Sequence, residues 1–207
     1  VNYVSVDGVT GLTVEQCNSE RLAEAINKLL SDDNFRLNLG NNARKRVEEL
    51  FDIEIPNDIT EFKQCTFSGA SAIRGVTLPD GVTQIGQRAF QNCYGLINVS
   101  LSSSLTKIGD LAFWGCSGLT SLSFPNTLNS IGKYVFYGCS KIDNIVLPNG
   151  IKIIDEHCFE GCSELKNIQL PNMLESINES AFQRCAFSEI HIPNTVQTIG
   201  SRAFFSC

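Results

Sequence analysis

The sequence contains little charge and no long apolar run. Charged residues make up 18% of the 207 residues, and the formal net charge is −6. A nucleic-acid-binding surface needs clustered Lys and Arg to neutralise phosphates, so this composition argues against one. No apolar stretch approaches the roughly 20 residues that a membrane-spanning helix requires. We therefore expect neither nucleic-acid binding nor membrane insertion.

Signals of catalysis and cofactor binding are also scarce. Neither G-x-x-x-x-G-K-[ST] nor G-x-G-x-x-G occurs, so two common phosphate-binding loops are excluded. The chain has two histidines, and one of them lies in a segment that contains several possible zinc ligands: Asp155, Glu156, His157, Cys158 and Cys162. A structural zinc site needs four convergent ligands. Cys158 and Cys162 fall at positions expected to face the core, where a thiol has a raised pKa and little thiolate. We expect no metal, no cofactor and no Cys–His nucleophile here.

What the sequence does contain is a repeat. From residue 53 onwards it follows the 23-residue unit L-P-x-x-hydrophobic-x-x-I-G-x-x-A-F-x-x-C-x-x-L-x-x-I-x. One row of aromatic residues, which we call the phenylalanine spine, consists of Phe67, Phe90, Phe113, Phe136, Phe159, Phe182 and Phe204. A second row, the cysteine row, follows three residues later and consists of Cys93, Cys116, Cys139, Cys162, Cys185 and Cys207. The copy at 170–191 is one residue short, with the deletion just after Cys185.

Self-similarity at this period predicts a solenoid, because one unit cannot bury its apolar face without stacking on its neighbours. Segment 119–125 typifies the strand of each unit. A proline follows that strand in most copies and ends it, since proline has no N–H to donate to a ladder. A second extended piece, such as 128–132, precedes a turn or short helical segment. We expect the spine to stack inside the solenoid.

The repeat unit resembles the BspA-like class of leucine-rich repeats over residues 53–207. The resemblance implies an α/β fold class: a leucine-rich-repeat solenoid of parallel strands, here with a short N-terminal α-helical segment. It further implies an adhesion or interaction scaffold rather than an enzyme. Proteins of this class occur on bacterial and protist surfaces, which favours a cell-surface or extracellular location.

Six of the nine cysteines belong to the cysteine row, and this changes how they are interpreted. Neighbouring strands lie about 4.8 Å apart, whereas disulfides prefer Cβ atoms about 3.8 Å apart. Pairing adjacent members would require a backbone shift, so we favour buried free thiols that act as small hydrophobes. A disulfide framework is the alternative, and the cysteines do not decide the redox compartment.

Residues 1–52 precede the repeat and have a different pattern. Residues 1–14 suggest a short strand and loop. Ser19 is a candidate N-cap for a first helix, whose expected inward residues are Leu22, Ala25, Ile26, Leu29 and Leu30. Asp32 or Asp33 can begin a second helix, whose expected inward residues are Phe35, Leu39, Ala43, Val47, Leu50 and Phe51. We hypothesise that the two helices cap the first rung.

This N-terminal stretch carries a second resemblance. D-G-x-x-G at 7–11, L-A-x-A-I-x-x-L-L-x-D at 22–32 and L-G-x-N-A-R-x-R-V at 39–47 are similar to the C-terminal end of a family 4 (GT-B) glycosyltransferase. In that family the donor-sugar site lies further upstream, so no catalytic residue carries over to this sequence. The alternative to an interaction module is therefore the C-terminal part of such a transferase carrying a repeat domain, which would favour a cytoplasmic location.

The surface with the strongest expectation of binding consists of polar positions that alternate with the buried ones in the first strand of each repeat. We call these ten residues the front face: Asn98, Ser100, Ser121, Ser123, Asn144, Val146, Asn167, Gln169, Glu189 and His191. They could hold another protein or a surface glycan, or they could only keep a sheet face hydrated. A second candidate surface is the aromatic set of Trp114, Tyr137 and Phe205.

The C-terminal end of the repeat lacks a polar capping unit, which solenoids generally need. The outer sides of Val196, Ile199 and Phe204 should be uncovered. Either the natural protein continues past Cys207 or another molecule covers this end. For the isolated chain we expect an end-to-end homodimer through the C-terminal rung, closed by a two-fold axis.

Overall fold

The computed structural model describes residues 19–50 and 52–207. The chain divides into two compact units, Val1–Asp52 and Ile53–Cys207. The strand and loop predicted at 1–14, together with Phe51, lie outside the described residues. No helix in the described ranges has the length and hydropathy to cross a bilayer.

The first unit contains helix α1 (Ser19–Ser31) and helix α2 (Asp33–Leu50). The Asp32 carboxylate accepts a hydrogen bond from the backbone N–H of Phe35 at 2.9 Å. Asp32 therefore caps α2, because it satisfies one of the N–H groups that the first helical turn leaves unpaired. Leu39 is buried, as its place in the apolar pattern predicts.

The expected inward face of α1 is partly wrong. Ile26 is 45% exposed and Leu30 is 71% exposed. The contact near Phe35 is instead made by Lys28, whose ammonium lies 4.4 Å from the centre of the Phe35 ring. An amphipathic pattern identifies an apolar stripe, but two helices on their own offer too little surface to cover all of it.

The second unit is built from short parallel strands, and each rung supplies up to two of them. The first strands of the rungs form the front sheet, with strands β1 (Asp52–Glu54), β3 (Gly75–Thr77), β5 (Asn98–Ser100), β8 (Asn144–Val146) and β10 (Asn167–Gln169). The later strands form a second surface, which we call the second sheet, with β2 (Glu61–Phe62), β4 (Gln84–Ile85), β6 (Lys107–Ile108), β7 (Ser130–Ile131), β9 (Ile153–Ile154), β11 (Ser176–Ile177) and β12 (Thr198–Ile199). Its strands pair in two groups, in the orders β2-β4-β6-β7 and β9-β11-β12.

The strand register follows the sequence period. Ile85 pairs with Ile108, and Ile108 pairs with Ile131, each step being one 23-residue repeat. Ile177 pairs with Ile199, only 22 residues on. The one-residue deletion predicted after Cys185 is therefore absorbed in the loop between these strands. The parallel-strand solenoid predicted from the period is confirmed.

Two rungs depart from the predicted strand pattern. Segment 119–125, used above as the typical strand, contributes only one bridge, from Ser121 to Asn98. The front sheet is accordingly split into the order β1-β3-β5 and the pair β8-β10. Residues 189–191 form no strand either. Phe124 replaces the usual leucine in the first case and the one-residue deletion precedes the second, so both rungs depart from the repeat consensus where the ladder is lost.

The turn after each second strand depends on left-handed backbone geometry. The residue two positions before each spine phenylalanine has φ between 52° and 60°, although none is glycine: Cys65, Arg88, Leu111, Tyr134, His157, Ser180 and Arg202. Such conformations are uncommon for residues with a Cβ. They persist here because the turns are hydrogen-bonded between rungs, for example from Tyr134 N–H to Glu156 O at 3.0 Å.

The phenylalanine spine forms the centre of the core. Phe90, Phe113, Phe136, Phe159 and Phe182 are fully buried. Their rings stack in sequence, with centroids 5.2 to 5.6 Å apart and planes within 15° of parallel. Successive rungs therefore share one continuous aromatic column, as the repeat predicts.

Candidate functional site

The ten front-face residues are all exposed, and they line two shallow depressions. One depression, of about 640 Å³, is lined by Asn98, Ser100, Ser121 and Ser123. The other, of about 530 Å³, is lined by the remaining six residues: Asn144, Val146, Asn167, Gln169, Glu189 and His191. Glu189 and His191 thus contribute to this surface although their segment is not a strand. The parallel stacking of the rungs places all ten residues on one side of the second unit.

Two apolar side chains interrupt this polar surface, one in each depression. Val146 is 50% exposed and lies in one depression, and the half-buried Phe124 lines the other. The edge of Phe124 packs on spine residue Phe136, at 5.9 Å between centroids and 65° between planes. The middle of the front face therefore presents an apolar contact between flanking amides and hydroxyls.

The front-face side chains are free of internal polar contacts. Within the described residues, none of the ten side chains makes a hydrogen bond or an ion pair with another part of the chain. Their amide, hydroxyl, carboxylate and imidazole groups are therefore available to solvent or to a ligand. A carboxamide offers two donor hydrogens and an acceptor oxygen, and a hydroxyl offers one donor hydrogen and an acceptor oxygen.

Polar side chains near the second sheet behave differently. Asp110 accepts a hydrogen bond from the backbone N–H of Lys133 at 3.0 Å. Asn178 donates from Nδ2 to Asp155 Oδ1 at 3.1 Å, one rung earlier. Lys152 and Glu175 form an ion pair at 2.8 Å. Many polar groups on this side tie one rung to the next, so they serve the fold.

A further row of polar residues borders the front face, and the sequence analysis missed it. In most rungs it follows the proline after the first strand, and we call it the turn row: Asn57, Asp80, Ser103, Asn126, Asn149, Asn172 and Asn194. All seven are exposed. Asp80 and Ser103 line the same depression as Asn98, and Asn57 lies beside Thr77 in another. The recurrence of asparagine after proline would have revealed the row from the repeat alignment.

The group of possible zinc ligands is not assembled into a site. Cys158 and Cys162 are buried in the apolar core, as their repeat positions predict. His157 Nδ1 lies 2.5 Å from Glu160 Oε2, and the His157 ring stacks on Tyr134 at 4.5 Å between centroids. Among the described residues, no cluster of three His, Cys, Asp or Glu side chains could hold a metal ion. His157 therefore serves to partner a carboxylate that is only 8% exposed.

The aromatic set divides into two parts. Trp114 and Tyr137 are half-buried and stack on each other at 5.9 Å between centroids and 19° between planes. Phe205 is 56% exposed. Part of the ring surface of Trp114 and Tyr137 is therefore used in packing one outer turn on the next.

The cysteine row has a structural role. Each thiol donates a hydrogen bond to the backbone carbonyl of the spine phenylalanine in the preceding rung, for example from Cys116 to Phe90 at 3.0 Å. The eight cysteines in the described ranges are free thiols, and Cys17 lies outside those ranges. Burial raises the pKa of Cys93 to about 11, with the Ala70 backbone opposing the shift. Burial also raises the pKa of the Cys162 thiol, so these groups are poor nucleophiles.

The fold and the rows described above define a leucine-rich-repeat solenoid with one open polar face. The family model of the BspA type leucine rich repeat region matches residues 37–140 and 85–207. The chain belongs to this family. A second model, glycosyl transferases group 1, matches residues 1–46.

Two solved structures show the same architecture. A leucine rich cell surface protein from Faecalibacterium prausnitzii is 31% identical, with a TM-score of 0.72 over 76% of this chain and 45% of that one. The leucine rich repeat protein TpLRR of T. pallidum is 28% identical, with a TM-score of 0.69 over 76% of both chains. The present chain thus spans less than half of the first protein and about three quarters of the second.

The N-terminal segment is similar to a curated enzyme. It is 44% identical over 50 residues to the capsular polysaccharide biosynthesis glycosyltransferase CapM of Staphylococcus aureus. The matched region is 24% of this chain and 13% of CapM. The resemblance to the end of a glycosyltransferase is therefore confirmed for this segment, and most of CapM has no counterpart in the match.

Proposed function

We propose that this protein is a non-enzymatic interaction or adhesion module whose ligand binds the front face. The observation that carries the proposal is the contrast between the two sheets. Near the second sheet, many polar side chains bond from rung to rung, whereas the ten front-face side chains have no partner in the described residues. A solenoid presents a long surface at little cost to its core, which suits binding.

The exposed Val146 supports the view that the front face contacts a ligand and does more than keep the sheet hydrated. A sheet face that only had to stay hydrated would gain nothing from a half-exposed valine at its middle. Contact residues that contribute most to binding energy cluster at the centre of an interface, surrounded by polar groups that exclude water. Val146 lies in such a position, between Asn144 and Gln169.

The experiment compares two arginine substitutions at matched sites. Val146 on the front face and Ile153 on the second sheet are both exposed valine or isoleucine residues in short strands, at 50% and 48%. Labelled wild-type chain, Val146→Arg and Ile153→Arg are applied to arrays of bacterial and host surface proteins and of oligosaccharides. We expect the strongest signal to fall at least tenfold in Val146→Arg and to persist in Ile153→Arg. Equal retention in both variants, or no ligand at all, contradicts the proposal.

The similarity to CapM supports one alternative, the C-terminal part of a family 4 glycosyltransferase that carries a repeat domain. Under that alternative the protein would act in the cytoplasm, whereas the cell-surface relative from F. prausnitzii supports an extracellular location. Calorimetric titration with UDP-glucose and UDP-N-acetylglucosamine separates the two. We expect no heat of binding from this chain, and micromolar affinity would favour the transferase alternative.

A further inference from the structure

The front face and the turn row together form a surface of unusual chemical uniformity. Asn98, Asn144 and Asn167 recur in one row of the front face, and five of the seven turn-row residues are also asparagine. The side chains of these asparagines make no hydrogen bond within the described residues. Most rungs of this surface therefore present at least one free carboxamide or hydroxyl group, although the Ser103 hydroxyl is used in a hydrogen bond to Asp80 Oδ1 at 3.1 Å.

The spacing of these groups is set by the backbone. Asn144 and Asn167 are register partners in the parallel pair β8-β10. Parallel strands are about 4.8 Å apart, so the same side-chain chemistry recurs along the solenoid axis at that interval. A surface that repeats in one direction is best matched by a ligand that also repeats in one direction, since one bound unit then places the next in register.

The charges on the front face and the turn row limit which class of polymer could bind there. Glu189 is the front face's only carboxylate and Asp80 is the only one in the turn row, and neither row contains Lys or Arg. Lys166 is the one Lys or Arg that lines either depression, so a polyanion would find little positive charge here, and the chain's net charge of −6 opposes it as well. The complementary ligand is electrically neutral and carries both donors and acceptors.

An extended peptide fits less well. Peptides are commonly bound by adding a strand to a free sheet edge, with pockets for alternate side chains. The front face is the broad side of a sheet, and its two depressions are shallow rather than deep pockets. Sugar hydroxyls both donate and accept, and they pair with carboxamides without needing a strand edge.

We propose that the front face and the turn row bind a linear, neutral polysaccharide that lies along the solenoid axis. Successive sugar units contact successive rungs through the asparagine carboxamides, and Val146 packs against the apolar face of a sugar ring at the centre. This inference rests on the proposed function, because it names the ligand class for the same surface.

Affinity electrophoresis in gels that contain linear glucans, mannans, galactans or xylans identifies a polysaccharide ligand. Calorimetry with the dimer, tetramer and hexamer of its sugar unit then tests whether the polymer lies along the solenoid axis. We expect affinity to rise about tenfold or more from dimer to hexamer, because longer chains reach more rungs. Replacing Asn144 and Asn167 together by alanine should weaken hexamer binding about tenfold, and replacing Asn149 and Asn172 should also weaken it. Gln84→Ala, an exposed amide on the second sheet, is the matched control and should change nothing.

The outcomes separate this inference from the proposed function. Binding that does not depend on oligomer length, or that Gln84→Ala weakens as much as the front-face variants, overturns it. Retardation by none of the polysaccharides also overturns it. If the arrays then give a protein ligand that Val146→Arg abolishes, the front face stands as the binding surface and only the ligand class is wrong. If no ligand responds to Val146→Arg, both proposals fail.

Discussion

The Cys139 thiol donates a hydrogen bond to the backbone carbonyl of Phe113, 3.2 Å away in the preceding rung. The same carbonyl accepts a second hydrogen bond from the backbone N–H of Cys116 at 3.1 Å. A carbonyl oxygen has two lone pairs, and both are used. The position of Cys139 therefore favours a residue that is small, tolerates burial and carries one weak donor. Cysteine meets all three requirements.

Because the thiols of the cysteine row are buried, the free energy of unfolding should fall at alkaline pH. Burial raises the pKa of Cys93 from the ordinary value of 9.0 to about 11. The unfolded chain therefore loses thiol protons at lower pH than the folded chain, so the contribution is intact below pH 9 and is lost as pH rises towards 11 and above. Chemical denaturation across this range measures it, with a slope of at most about 1.4 kcal/mol per pH unit for each buried thiol.

The contribution of the thiols is isolated by two variants, since Tyr and Lys titrate in the same range. Cys139→Ser removes a fully buried thiol whose pKa is raised by burial. Cys65→Ser removes an exposed one. The decline above pH 9 should become shallower in Cys139→Ser and stay unchanged in Cys65→Ser. Identical pH profiles for all three proteins would show that the buried thiols do not control the decline.

The phenylalanine spine should carry much of the stability. Phe136 stacks between Phe113 and Phe159, at 5.6 and 5.2 Å between centroids. Phe136→Ala leaves a cavity that three rungs share and should lower the free energy of unfolding by about 3–5 kcal/mol. Asn144→Ala on the front face should cost less than about 0.5 kcal/mol. Denaturant melts that give similar losses for both would contradict the assigned register.

Close approach between rungs should make replacement of one glycine destabilising and leave another glycine replaceable. A Cβ on Gly118 would lie 2.6 Å from the carbonyl oxygen of Tyr94 in the preceding rung, whereas the nearest atom to a Cβ on Gly81 would be 3.7 Å away. Gly118→Ala must push two rungs apart and should cost about 1–3 kcal/mol. Gly81→Ala should be neutral or slightly stabilising. Thermal melts of the pair test this, and equal melting temperatures would mean that the rungs are not packed this closely.

The sequence predicts a structural feature well when one position in the repeat determines it, and poorly when the feature depends on contacts with other segments. Phe136 and Cys139 could be placed in the core because their period fixes their side of the rung. The strand at Ser121 was predicted wrongly, because the repeat pattern does not show whether a neighbouring rung aligns well enough to extend one bridge into a ladder. Leu30 was expected to face inward, but a stripe on a helix does not say how much of it a partner covers.

Some properties of the candidate site could likewise be predicted from the sequence, and others could not. Exposure of Asn144 and Gln169 follows from alternation along a strand, so both could be named from the sequence. Their lack of internal partners could not, because hydrogen bonds between rungs depend on rotamers and on the twist of the stack. The turn row at Asn149 and Asn172 was readable from the repeat, but its place beside the front face required the fold.

The C-terminal rung also exposes an apolar surface, and the sequence predicts that a homodimer forms through it. Ile199 is 52% exposed at the edge strand β12, and Phe204 and Val196 are half-buried. We propose that the isolated chain dimerises end to end through this rung. Light scattering should show a dimer for wild type and for Gln64→Glu, and a monomer for Ile199→Glu. A wild type that stays monomeric at high concentration excludes the dimer.

An NMR titration can show directly whether ligand binds the front face. The isotope-labelled chain is titrated with the tightest ligand from the arrays or gels, and backbone amide shifts are followed residue by residue. We predict that the largest changes fall at residues 98–100, 121–123, 144–146, 167–169 and 189–191, with little change in the second sheet at 84–85, 107–108 and 130–131. Shifts concentrated in the second sheet, or in the turns that carry Trp114 and Tyr137, would contradict the claim.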